Sequence, residues 1–289
     1  MKKLVDFPCK HENAVGFSAE IINKTALPFP ASYNNYESLV TLAMAVKEEK
    51  NFPFCILPFC HTVEAEALGG KITLGDGRIG PRTKEYAFTS IEDLMQTAPI
   101  DFSKGRIHQV LLACSLLKER GEKVALQICG PYSILNCLMD ISIFFKTWRK
   151  EPLLIEDVFA LISNNLLQYF QVACEGGVDI ISYADPAGSV KILGPRYAEM
   201  TARLFTVPFL QKAKEITTGK TLIQLCPKTT LILRGLDLAE FTDIAIPEKI
   251  SYAEAALNVI GKTDIIGQAC LQEDSLFLSN GNIKAIRLR

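Results

Sequence analysis

The chain has 289 residues, 48% of them apolar, enough for one large domain or two ordinary ones. Its 31 basic residues nearly balance 32 acidic ones, a formal net charge of −1, so no electrostatic footprint for nucleic acid or a membrane surface is present. Nine cysteines, odd in number and without a CxxC spacing, argue against a disulfide framework or a zinc ribbon and fit a reducing, anaerobic cytoplasm.

At the N-terminus, Met1-Lys2-Lys3-Leu4-Val5-Asp6 is followed by no apolar h-region, and no later apolar run approaches the ~20 residues of a spanning helix. A soluble, cytoplasmic protein is expected. Residues 38–50 predict a helix and 52–59 a buried strand. Residues 61–68 start a second helix, closed by Gly69-Gly70. A helix over 106–120 ends at Gly121, and 123–129 is a strand that turns at Gly130-Pro131 into a helix beginning near Tyr132. Residues 152–174 predict a long helix ended by Gly176-Gly177, then a strand over 178–183 and the loop Ala184-Asp185-Pro186-Ala187-Gly188-Ser189. A helix over 195–217 precedes a strand over 221–225. A weaker strand follows at 242–246, then a helix at 251–260 and a strand at 264–269.

Strands alternating with Gly-terminated helices indicate an α/β protein with a parallel sheet. The length favours a single (β/α)8 TIM barrel over residues 1–289. A doubly wound sheet is the alternative, but no G-x-G-x-x-G or Walker A pattern is present to support it.

In such a barrel the C-terminal strand ends form the ligand-binding mouth. Four of them carry polar or reactive groups: His61 with Glu64 and Glu66, Gly130-Pro131-Tyr132-Ser133, Asp185 with Ser189, and the pair Cys226 and Cys270. Each also has a structural reading. His61, Glu64 and Glu66 suit a helix start, Asp185 suits a turn, and buried cysteines are often inert. Two thiols at one mouth would suit a soft metal such as zinc.

Three segments resemble the uroporphyrinogen decarboxylase superfamily. They are Pro58-Phe59-Cys60-His61-Thr62-Val63-Glu64-Ala65-Glu66-Ala67-Leu68-Gly69-Gly70, Gly130-Pro131-Tyr132-Ser133, and Gly176-Gly177-Val178-Asp179-Ile180-Ile181-Ser182-Tyr183-Ala184-Asp185-Pro186. Gly281-Asn282-Ile283-Lys284-Ala285-Ile286 is similar to that family's C-terminal helix signature. Within the superfamily, the branch of methylcobalamin-dependent methyltransferases that includes methylcobamide:coenzyme M methyltransferases is the nearest in pattern. The resemblance implies a (β/α)8 barrel that moves a methyl group from a methylated corrinoid, carried by a corrinoid protein docked over the rim, to a thiol or similar small-molecule acceptor.

It also implies zinc, held by a His-x-Cys motif and a distant Cys. The matching positions are Gln224, Cys226 and Cys270, so a glutamine stands where the family has histidine. Under this reading Cys226 and Cys270 bind zinc, with Gln224, His61 or Glu64 as a further ligand. Asp185 orients the acceptor or the corrinoid, and His61, Glu64, Tyr132 and Ser189 bind substrate. Tetrapyrrole decarboxylation is disfavoured, because the family draws carboxylate-binding arginines from its N-terminal region and this chain has none before Arg78. A metal-free barrel that binds a corrinoid or a partner without chemistry is the alternative.

Overall fold

The computed structural model describes residues 4–9 and 16–289; His11 lies outside them. Seven strands form the main sheet: β1 (Cys55–Leu57), β2 (Val124–Cys129), β3 (Ile180–Ala184), β4 (Leu222–Leu225), β5 (Ala239–Ala245), β6 (Ile265–Ile266) and β7 (Asn282–Leu288). Their order is β1-β2-β3-β4-β6-β7-β5. Strands β1 to β4 and β6 run parallel, whereas β7 is antiparallel to both of its neighbours.

The α/β class follows from short apolar strands joined by long amphipathic crossovers. Helices Tyr36–Lys50, Gly105–Glu119 and Pro152–Glu175 fall where periodicity predicts. The helix expected over 195–217 is broken. Gly194 takes φ 69°, and a π-turn at Ala202–Thr206 precedes the helix Val207–Thr217. Pro208 lacks the N–H of a regular helical turn and its ring crowds the preceding one, which accounts for the widened turn before it.

Two expectations are corrected. Among the described residues the sheet does not close: β1 forms one edge and β5 the other. The cause is local. The helix Pro227–Gly235 passes into β5 within a few residues, and β7 then inserts between β6 and β5, so β4 pairs with β6. The second correction concerns the C-terminus, where the expected helix at 281–286 is strand β7. It pairs with β5 across seven successive residues, from Asn282 opposite Ala245 to Leu288 opposite Ala239. Branched Ile283 and Ile286 favour that extended state.

Strand alternation divides the side chains between two faces. On the outer face Leu57, Leu126, Ile181 and Leu225 pack under the long helices. On the inner face Ile56, Ala125, Ile180, Leu222 and Ile266 pack against Phe52, Phe54 and Tyr252 of the helix Tyr252–Asn258. Burying each such leucine or isoleucine contributes ~1.5–3 kcal/mol. That helix covers the lower inner face and leaves the C-terminal strand ends open. No helix among the described residues is long and apolar enough to cross a membrane.

Candidate active site

The inner face changes character one pleat above the apolar layer. Gln127, Ser182 and Gln224 are paired in register across β2, β3 and β4, Gln127 opposite Ser182 and Ser182 opposite Gln224. Neighbouring strands lie ~4.8 Å apart, so the three form one continuous polar row. The row floors a cavity of about 720 Å³ at the strand ends. Its wall includes His61, Cys226, Cys270 and Gln272, and Phe17, Val46 and Phe59 give it an apolar side.

The row is tied into neutral hydrogen-bond chains. Gln272 Nε2 donates to Gln127 Oε1 at 2.6 Å, and Gln127 Nε2 donates to His61 Nδ1 at 2.9 Å. Accepting at Nδ1 leaves the proton of the neutral imidazole on Nε2. Burial pushes the His61 pKa down to about 4, so the ring is neutral at pH 7. Ser182 Oγ donates to Gln224 Oε1 at 2.7 Å, while Gln224 Nε2 donates to the carbonyls of Leu225 at 2.7 Å and Ala269 at 2.9 Å.

The structure brings together four of the sequence-predicted residues: His61, Gln224, Cys226 and Cys270 all line the mouth. The other four, expected at the mouth, lie behind its wall. Ala184 and Pro186 face the cavity, so the intervening Asp185 points away from it. Asp185 Oδ1 accepts from Ser133 N at 2.8 Å and Ser133 Oγ at 2.7 Å, and Oδ2 accepts from Tyr132 N at 3.1 Å. The carboxylate thus caps the helix Pro131–Leu138 from outside that helix, and burial still pushes its pKa up to about 6. Gly130 permits this approach: a Cβ there would stand 2.5 Å from Asp185 Cβ.

Tyr132 is buried with its hydroxyl on Thr201 Oγ1. Ser189 is buried at the start of the helix Val190–Thr201. Glu64 is buried with Oε1 accepting from Cys129 N at 2.8 Å, and burial raises its pKa. None of the four lines the cavity.

Among the described residues the donor set does not assemble the zinc centre that the resemblance implies. Both polar ends of the Gln224 amide are already committed within the protein. Burial pushes the thiol of Cys226 up to about 12 and that of Cys270 up to about 11, with the charge of Cys270 a smaller contribution at Cys226. Cys9 also reaches the mouth, yet among the described residues no three His, Cys, Asp or Glu side chains are grouped to hold a metal ion.

Gln127, Ser182 and Gln272 were missed by sequence reasoning. A signal existed: Gln-x-Cys occurs three times at strand ends, at Gln127-Ile128-Cys129, Gln224-Leu225-Cys226 and Gln268-Ala269-Cys270. A lone polar residue inside a buried apolar strand needs a partner, which marks each as part of a site or a network.

The family profile for uroporphyrinogen decarboxylase (URO-D) matches residues 17–286. The chain belongs to the URO-D family. Among its relatives, the methylcobamide:CoM methyltransferase MtaA of Methanosarcina barkeri is 26% identical over 245 residues, covering 84% of this chain and 71% of the relative. MtbA of Methanosarcina acetivorans, also a methylcobamide:CoM methyltransferase, is 24% identical over 234 residues, covering 80% of this chain and 68% of the relative. A solved structure, a methyltransferase from Methanosarcina mazei, superposes with a TM-score of 0.63 at 25% identity. That match covers 78% of this chain and 66% of the solved chain, so this URO-D family member spans just under two thirds of its structural relative.

Proposed function

We propose that this URO-D family protein moves a methyl group from a methylated corrinoid, presented by a corrinoid protein, to a thiol or similar small acceptor seated in the mouth. What supports the reading is the placement of a polar row and two thiols at the strand ends, in a family whose relatives here are methylcobamide:CoM methyltransferases. A cavity of about 720 Å³ is of small-ligand size, so the larger corrinoid belongs at the open rim, where Phe17 and Phe59 stack edge to face at 4.9 Å.

When bound, the methylated corrinoid supplies an electrophilic methyl group and takes the electron pair of the breaking bond. The chain's own residues hold the acceptor. His61 Nε2–H donates to it, the Ser182 oxygen accepts from it, and Cys226 and Cys270 offer a soft, uncharged wall beside its nucleophilic atom. Orientation by these residues would favour attack, with the thiol proton passing to solvent at the open rim as the S–C bond forms and the methyl–corrinoid bond breaks.

A second reading is a corrinoid- or partner-binding protein without chemistry. The closed Gln224 amide and the two protonated thiols favour it. Anaerobic incubation with methylcobalamin and a small thiol separates the two. Enzyme-dependent loss of the methylcobalamin spectrum supports the transferase. Retention of the corrinoid without turnover supports the binder, and neither turnover nor retention overturns both.

A further inference from the structure

A second cavity, of about 20 Å³, lies behind the mouth wall. Tyr183 and Asp185 line it from the end of β3, Thr201 and Thr206 from either side of the π-turn, and Thr229 from the helix Pro227–Gly235. Apolar side chains close most of the remainder, and all five polar residues are buried. Thr201 and Thr206 stand at i and i+5. A regular helix would carry them to different faces, and the widened turn brings both to one cavity.

Thr201 Oγ1 shares a hydrogen bond of 2.5 Å with the Tyr132 hydroxyl. The hydroxyls of Tyr183, Thr206 and Thr229 make no hydrogen bond to another described residue. Tyr183 sets the demand. It is 1% exposed and its ring packs on Phe209 at 5.4 Å, so the hydroxyl cannot turn out to solvent. A buried phenol oxygen without a hydrogen bond costs the fold free energy, and buried tyrosines usually find a partner. Asp185, which already holds Ser133 and the Tyr132 N–H, brings carboxylate oxygens that only accept. Donors and an acceptor thus line a space large enough for one water: a polar cavity above ~10–15 Å³ holds a water molecule when about two to four polar groups surround it.

We propose that this cavity is an internal water site. One water accepts from the Tyr183 hydroxyl and donates to Asp185 and to a threonine oxygen, tying the end of β3 to the π-turn and to the helix that Cys226 precedes. Ala184, Pro186 and Cys226 line the mouth from the ends of β3 and of that helix, so the water braces the wall from behind. That role is independent of methyl transfer in the mouth.

Tyr183→Phe tests it, because the change keeps the ring and removes only the oxygen. A hydroxyl with no partner is a burden, and its removal would leave the chain equally stable or more so. A hydroxyl bonded to an internal water stabilises the fold, so the unfolding equilibrium constant in urea is expected to rise ~5-fold or more in the variant. A high-resolution crystal structure of the full chain is expected to show an ordered water within ~3.2 Å of Tyr183 Oη and of an Asp185 oxygen. Equal or greater stability of Tyr183→Phe overturns the proposal, as does a cavity without solvent density.

Discussion

Ser182 Oγ donates to Gln224 Oε1 at 2.7 Å, between residues paired in register on adjacent parallel strands. This bond occupies the side chain that the resemblance matched to a histidine ligand, and it makes Gln224 part of the floor. Gln224→Leu would leave the Ser182 hydroxyl and two backbone carbonyls without their partner, at a cost of ~1–3 kcal/mol in chemical denaturation. A double-mutant cycle with Ser182→Ala should show coupling of ~0.5–1.5 kcal/mol. Strict additivity would mean that the bond is absent in solution.

Asp185 is expected to act on stability. Asp185→Ala frees two backbone N–H groups and a hydroxyl in a buried place, and a loss of ~3 kcal/mol is predicted. Gly130→Ala should cost ~1–3 kcal/mol through overpacking, since the new Cβ would lie 2.5 Å from Asp185 Cβ. Urea unfolding of both variants checks this. Full stability of Gly130→Ala would show that the two do not touch.

His61 has a pKa lowered from 6.5 to about 4 by burial. The unfolded chain therefore binds the extra proton first as pH falls, and the stability associated with neutral His61 is present above 6.5 and lost as pH drops toward 4. Relative to His61→Gln, the wild type should lose ~2 kcal/mol between pH 7.5 and pH 5. Asp185 works in the opposite sense, because its raised pKa favours the folded state as pH falls through about 6, so the comparison with the variant isolates His61. A pH-independent difference would contradict a buried neutral ring.

The thiols of Cys226 and Cys270 are pushed up to about 12 and about 11. Alkylation at each, read by peptide mass, should rise ~tenfold per pH unit from 7.5 to 9.5 without levelling. A plateau below pH 9 would identify a preformed thiolate and reopen the question of a metal.

The long helices and parallel strands were legible because their signals are local: apolar runs, helical periodicity and terminal glycines such as Gly121 and Gly177. The strand ends bearing His61, Gln224, Cys226 and Cys270 were legible for the same reason. Sheet closure was not, because it depends on β7 taking the place beside β6, a long-range pairing that no local pattern records. The C-terminal segment fitted a helix signature in sequence, and tertiary pairing with β5 made it a strand. Asp185 and Ser189 show a further limit. Their loop could be placed at a strand end, but whether each side chain faced the cavity or the outer helices turned on a single residue of register. Gln127 was passed over as one polar residue in an apolar strand, although the repeated Gln-x-Cys spacing marked it.

The most direct test of methyl transfer in a zinc-free mouth is turnover of methylcobalamin by anaerobically purified protein before and after chelation, with zinc counted on the same sample. The account predicts well below one zinc per chain, no change in zinc on Cys226→Ser, and a turnover rate that chelation leaves unaltered. About one zinc per chain, lost in Cys226→Ser and needed to restore turnover after chelation, would contradict it.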